Sequence, residues 1–215
     1  MERVLWLYAQ PYDVQYPVVC FDERPCFLIG DELAPLQMTS QRPQREHYAY
    51  EKLGSCALLA AIEPLTGCRL AQVHARRTKK EYTVFCQALA DVWPDAHKIR
   101  LVQDNLNTHN ATSFYEHLPA EQAFALAQRF EFFYTPKSAS WLNMIEIEFS
   151  VISRLCLNRR IPTQERLTTE VLTLIQQRHD HRIKIHWQFS ISSARQKLSS
   201  HYHRVNSANL VSDKI

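Results

Sequence analysis

The order in which two hydrophobic periodicities follow one another constrains this chain more than any other feature. Short strand-type apolar runs come first, at Val18 to Phe21 and Cys26 to Ile29, then on either side of Pro64-Leu65-Thr66-Gly67. The charged stretch Asp22-Glu23-Arg24-Pro25 reads as a turn between the first two runs, and the later pair reads as a hairpin with a short connection. Residues 31 to 54 between them are polar, proline-containing and aperiodic, which predicts a long surface connection. Helical spacing takes over at Tyr82, Phe85, Leu89 and Val92, predicting a helix from Lys79 to Trp93 that Pro94 stops. From there the two periods alternate: a strand in "KIRLVQD", helices near 111 to 118 and 121 to 129, and the aromatic strand "FEFFY" at 130 to 134. After the loop "TPKSASW", a helix from about Leu142 to Leu157 carries Leu142, Ile145, Phe149 and Ile152 on one face. Strands first and alternation afterwards predict an α/β fold with a mixed sheet flanked by helices on both faces.

Three glycines in 215 residues exclude a glycine-rich P-loop and the G-x-G-x-x-G dinucleotide fingerprint. Lysine and arginine exceed the acids by three, a mildly basic balance that is compatible with a polyanionic partner. The six cysteines form no C-x-x-C pair and sit in apolar or mixed surroundings, the pattern of reduced core thiols. Neither zinc-ligand spacing nor an activated Cys/His pair involving Cys20, Cys26 and His109 emerges. "MERVLWLYAQ" lacks the long apolar core of a signal peptide or spanning helix, so no membrane association and a cytoplasmic location are expected.

Two acids, Asp22 and Asp104, directly follow strand-type runs. If those strands are parallel neighbours, their ends bring two carboxylates to one sheet edge, where open α/β folds place ligands. A divalent cation would keep both ionised, whereas closing a turn is the commoner role of an acid after a strand. Glu146 and Glu148 enter the last apolar helix about 200° apart around its axis, so both cannot reach one ion. A surface ion pair is the ordinary role for either. Arg76, Arg77, Lys79 and Lys80 gather four cations ahead of a helix, suited to phosphate contacts or to a solvated helix start, and Arg159-Arg160 form a second basic pair.

Taken as a set, "CFDERP", "RRTKKEY", "QDNLNTH", "YTPKSASWLNMIEIEFS" and "HWQFSISSARQKL" resemble the catalytic region of DDE transposases of the mariner-type superfamily. The resemblance is strongest to the bacterial insertion sequence 630 group and runs from about Pro17 to Leu198. It implies a ribonuclease-H-like fold in which Asp22, Asp104 and Glu146 are both the catalytic acids and the ligands of two Mg²⁺ ions, with Mn²⁺ as substitute. Asn143 and Glu146 fit the family's Asn-x-x-Glu element and Glu148 does not. The implied reaction is hydrolysis of DNA phosphodiesters at element ends, then strand transfer by the freed 3′-hydroxyl, carried out by a homodimer. Asn105, His109 and Asn143 are the candidates for supporting the acids, and Arg76, Arg77, Lys79, Lys80, Lys137, Arg159 and Arg160 for contacting DNA. A non-catalytic DNA-binding or oligomerising remnant and a ribonuclease-H-like nuclease are the alternatives. The expected organisation is a lead-in at 1–16, the catalytic domain at 17–160 and a helical extension and tail at 161–215. Only 21 residues precede Asp22, so the family's helix-turn-helix region is absent from this stretch and a truncated or split copy is one expectation. "KSAS" at 137–140 stands where relatives carry Lys-His-Gly-Ser.

Overall fold

A computed structural model of the protein describes residues 1–43 and 45–206. Its centre is a five-stranded sheet in the order β3-β2-β1-β4-β5, built from β1 (Val18–Asp31), β2 (Tyr50–Glu63), β3 (Cys68–His74), β4 (Ile99–Gln103) and β5 (Phe130–Tyr134). The first three strands are antiparallel, and β1, β4 and β5 run parallel. Helices α2 (Lys79–Val92), α3 (Thr112–Tyr115) and α4 (Ala120–Gln128) belong to one face. The other face is covered by α1 (Glu2–Tyr8), α5 (Ile145–Ile152) and α6 (Gln164–Asp180), and α7 (Ile191–Lys197) and α8 (Ser199–Val205) follow. The mixed α/β sheet expected from the sequence is the one observed.

Strand alternation divides the core in two. Val19, Phe21, Leu59 and Leu101 meet Tyr82, Phe85 and Leu89 of α2, whereas Cys20, Leu58, Ile62 and Val102 meet Ile145, Phe149 and Ile152 of α5. Because both faces are covered, these strands read as continuous apolar runs. Each fully buried Phe or Leu contributes roughly 1.5–3 kcal/mol by leaving water. Val4 and Leu7 of α1 and Leu167, Val171 and Ile175 of α6 lie in the α5-side core, so segments on both sides of 17–160 share its packing.

Three local expectations are corrected. The Asp22–Pro25 turn does not form: β1 continues through it, paired with β2 from Cys20 opposite Ile62 to Asp31 opposite Tyr50. The parallel pairing with β4 covers only Val18 to Cys20, so Pro25 lies where β1 has one partner and a missing N–H can face away from the ladder. For the same reason β2 starts at Tyr50, and the connection shrinks to residues 32–49. A bulge at Leu53 is eased by Gly54, whose φ of 133° disfavours any other residue. Finally, the helix expected over 142–157 is regular only over α5. Asn143 is extended at its start, and at its end Ser153 Oγ donates back to the Phe149 carbonyl as the helix widens into a π turn. The extension and tail carry α6, α7 and α8 as far as Val205, with residues 181–190 outside any helix, and residues 207–215 lie outside the described residues.

Candidate functional site

The sheet register brings the acids together. Cys20 of β1 lies opposite Val102 of β4, so two residues further along each chain Asp22 comes level with Asp104. Cys20 faces the α5 side, and Asp22, two residues on in β1, shares that face, while Asp104 stands just past the end of β4. Glu146 stands in the first turn of α5, half-buried. That turn is fixed to β1 by Asn143, 1% exposed, whose Nδ2 donates to the Phe21 carbonyl at 2.8 Å. The Glu146 N–H in turn donates to the Asn143 carbonyl at 3.1 Å. Asp22 feels the whole group: burial first, then the charges of Asp104 and Glu146, push its carboxyl up to about 7, against the Glu23 N–H and His109.

Glu23, one residue on, points to the opposite face, and His109 reaches it there. His109 is fully buried, stacked on Tyr82 at 5.0 Å and edge-on to Phe21 at 5.2 Å between ring centroids. Its Nε2 bonds Glu23 Oε1 at 3.1 Å and its Nδ1 bonds Asp104 Oδ1. The His109 carbonyl accepts from Gln103 Nε2 at 2.7 Å, and Gln103 Oε1 accepts from the Tyr82 hydroxyl at 2.9 Å. Burial disfavours the imidazolium, but hydrogen bonds to Asp104 and Glu23 outweigh it and raise His109 to about 9. The side chain is therefore a cation held between two carboxylates. Glu23 escapes the sequence reading because Asp22–Pro25 looks like a turn; in a strand, adjacent acids must face opposite ways, and that alternation is the signal that could have found it.

Of the remaining candidates, Asn105 is exposed and makes no side-chain hydrogen bond among the described residues. Glu148 is not a surface ion pair. It is 1% exposed and accepts from Arg69 Nε and Nη2 at 3.0 and 3.1 Å and from Arg178 Nε and Nη2 at 2.6 and 3.0 Å. Burial opposes its charge, yet Arg178 and Arg69 hold it below the ordinary carboxylate range. Arg76, Arg77, Lys80 and Lys137 are exposed and have no ion-pair partner among the described residues. The other three basic candidates are engaged: Lys79 with Glu116, Arg159 with Glu170, and Arg160 with Asp31 at 2.6 Å. Ser138 of the "KSAS" loop has a φ of 61°, a left-handed conformation that costs a serine about 1–2 kcal/mol, whereas Ala139 at −127° is unstrained. All six cysteines are free thiols, and burial raises Cys26 to about 11 and Cys20 to about 12, far from thiolate reactivity.

The donor set suits a hard divalent cation. Every candidate ligand is a carboxylate oxygen, Asp22 is buried beside two like charges, and the buried Asn143 Oδ1 has no hydrogen-bond partner. Among the described residues no three Asp, Glu, His or Cys side chains already surround a common point.

These shifts fix a pH dependence for the metal-free fold. Asp22 is raised from 3.8 to about 7, so the native state keeps a proton that the unfolded chain releases, and stability falls as pH rises across that window. His109 is raised from 6.5 to about 9, so the stability it adds is complete below 6.5 and is lost as pH climbs through 9. Both act in one direction. Thermal melts in chelator are expected to show Tm declining from about pH 6 to about pH 9, with Mn²⁺ recovering part of the loss; a Tm rising over that range would contradict these assignments.

The DDE superfamily endonuclease family matches residues 17–168 of the chain. Among solved structures, a pre-cleavage Mos1 transpososome superimposes with a TM-score of 0.50 at 11% identity, over 87% of this chain and 61% of that one. The Mos1 strand transfer complex superimposes with a TM-score of 0.58 at 11% identity, over 99% of this chain and 60% of that one. At such identity the likeness establishes the ribonuclease-H-like fold, and the chain spans about 60% of the length of these proteins. No curated protein matches the chain. No helix among the described residues is long and apolar enough to cross a membrane.

Proposed function

The chain belongs to the DDE superfamily endonucleases, and from that premise we propose that it is the catalytic domain of a transposase that cleaves and joins DNA with two divalent ions. The observation that carries the reading is the register of β1 on β4, by which Asp22 comes level with Asp104, and the Asn143 bond that fixes the start of the Glu146 helix beside β1 supports it. Asp22, Asp104 and Glu146 would hold Mg²⁺ or Mn²⁺. Bound there, a metal pair supplies a deprotonated nucleophile and neutralises the leaving oxygen of an in-line phosphodiester displacement.

The chain's own residues divide the remaining work. Asp104 is aimed by the His109 imidazolium, and the charge of that imidazolium offsets the crowding of carboxylates. Asn143 fixes the start of α5 and leaves Oδ1 free to accept a hydrogen bond from water or a hydroxyl at the site. Arg76, Arg77, Lys80 and Lys137 are the exposed cations available to phosphates. Two solved structures of this fold are a transpososome and a strand transfer complex, which supports DNA as substrate and, with the resemblance read from sequence, action as a homodimer on paired ends.

The reading is tested by incubating the protein with plasmid DNA in Mg²⁺ or Mn²⁺ and following nicking beside an Asp104→Ala control. Nicking is expected with either metal, not in chelator and not by the control; nicking by the control at the wild-type rate would remove the assignment. In a companion binding assay, the combined Arg76→Ala, Arg77→Ala and Lys80→Ala variant should hold DNA more weakly. The slope of log affinity against log salt should fall by about one for each phosphate the variant no longer neutralises.

A further inference from the structure

We propose that Glu23 is a positioning residue: from the far side of the sheet it holds His109, and through His109 it fixes the direction of the Asp104 carboxylate. The inference rests on the metal-binding reading of Asp22, Asp104 and Glu146 and adds a residue that the family motif gives no role here.

The geometry is that of a tether passing over the end of a sheet. Asp22 and Glu23 are neighbours in β1, so their side chains leave opposite faces, Asp22 toward α5 and Glu23 toward α2. Asp104 follows the last residue of β4 and lacks a ladder to orient it. The His109 ring, in the segment between β4 and α3, spans the gap with Nδ1 on Asp104 and Nε2 on Glu23 at 3.1 Å. The Glu23 end of the tether and the ring itself are firmly held. The Glu23 carboxyl is 3% exposed, the ring is fully buried between Phe21 and Tyr82, and Gln103 holds its backbone carbonyl.

A ring trapped between two aromatics still has freedom to tilt within its slot, and one hydrogen bond to an acid beyond the end of its strand would not define that tilt. The second bond, to a carboxylate on the rigid central strand, does. Carboxylate–histidine pairs behind metal ligands act in this way, and their loss typically costs about 10–100-fold in metal affinity. In this site the order is inverted. The histidine stands behind a carboxylate ligand, and a second carboxylate stands behind the histidine.

The test measures Mn²⁺ affinity by calorimetry for wild type, Glu23→Ala and Glu23→Gln, with Tm taken for each. Glu23→Ala is expected to weaken Mn²⁺ binding about 10–100-fold. Glu23→Gln should recover most of the affinity, because its Oε1 still accepts from Nε2–H. A purely structural Glu23 would lower Tm in Glu23→Ala but leave Mn²⁺ affinity of the folded protein at the wild-type value, and that result would overturn the proposal. Should wild type itself bind no Mn²⁺, the metal reading fails while the tether is still decided by the carboxyl carbon resonance of Asp104 in metal-free protein. A resonance that shifts or broadens in Glu23→Ala and returns in Glu23→Gln upholds the tether. One unmoved by either substitution refutes it.

Discussion

Replacing Glu148 with alanine is expected to destabilise the protein by about 3–5 kcal/mol, the range for breaking a buried ion pair from one side. The substitution leaves two guanidinium groups facing an empty site where they had four hydrogen bonds. Arg69, with no exposed side-chain surface, also donates to the carbonyls of Gly67 and Ile183 at 2.7 Å each and so cannot turn outward to water. The cluster joins β3, α5 and α6, and α5 is the helix that carries Glu146. Urea unfolding should show the midpoint of Glu148→Ala falling with little change in slope. Glu148→Gln, which keeps the shape but not the charge, should also lose stability, by less. A Glu148→Ala midpoint within about 0.5 kcal/mol of wild type, the range of ordinary surface substitutions, would contradict the account.

That pair marks one limit of what the sequence discloses. Helical geometry alone shows that Glu146 and Glu148 cannot serve one ion, but not what the second does, because its partners lie 79 and 30 residues away on other elements. The acids at the sheet edge are easier to find: an apolar run ending in an acid is a local pattern, and two such runs in an α/β chain are natural parallel neighbours. What misleads is the charge in "DERP". Four polar or turn-forming residues in a row imitate a turn, and only pairing with β2 carries the strand through them. Losing that strand also hides Glu23, since residues in a turn have no alternating faces. The basic candidates show the same division. Sequence marks the cluster, and only the fold reveals that Lys79, Arg159 and Arg160 are already engaged.

Asp22→Asn is expected to move stability and metal binding in opposite directions. Asparagine has the carboxylate's shape, and its Oδ1 can still accept the Glu23 N–H that Asp22 Oδ1 accepts at 2.7 Å. It carries no charge into a buried place beside Asp104 and Glu146. Holding a carboxyl at about 7 instead of 3.8 corresponds to on the order of 4 kcal/mol at pH 8, so the metal-free variant should melt at a clearly higher temperature than wild type there. The difference should shrink as pH falls and nearly vanish only below about pH 4, where Asp22 of the unfolded chain is protonated as well. Mn²⁺ affinity should fall by more than about 100-fold, beyond the cost of losing a residue that only supports a ligand. A stabilised protein that no longer binds the ion is the signature of a site that gives up stability for function. A variant less stable than wild type at pH 8, or one binding Mn²⁺ normally, would remove Asp22 from the ligand set.

The most direct test of the central claim is anomalous diffraction from crystals of the whole chain soaked in Mn²⁺. Two peaks about 3.5–4 Å apart are expected, with Asp22, Asp104 and Glu146 drawn in as their ligands. Peaks confined to other carboxylates, or none at a soak that saturates Mn²⁺ binding in solution, would contradict it.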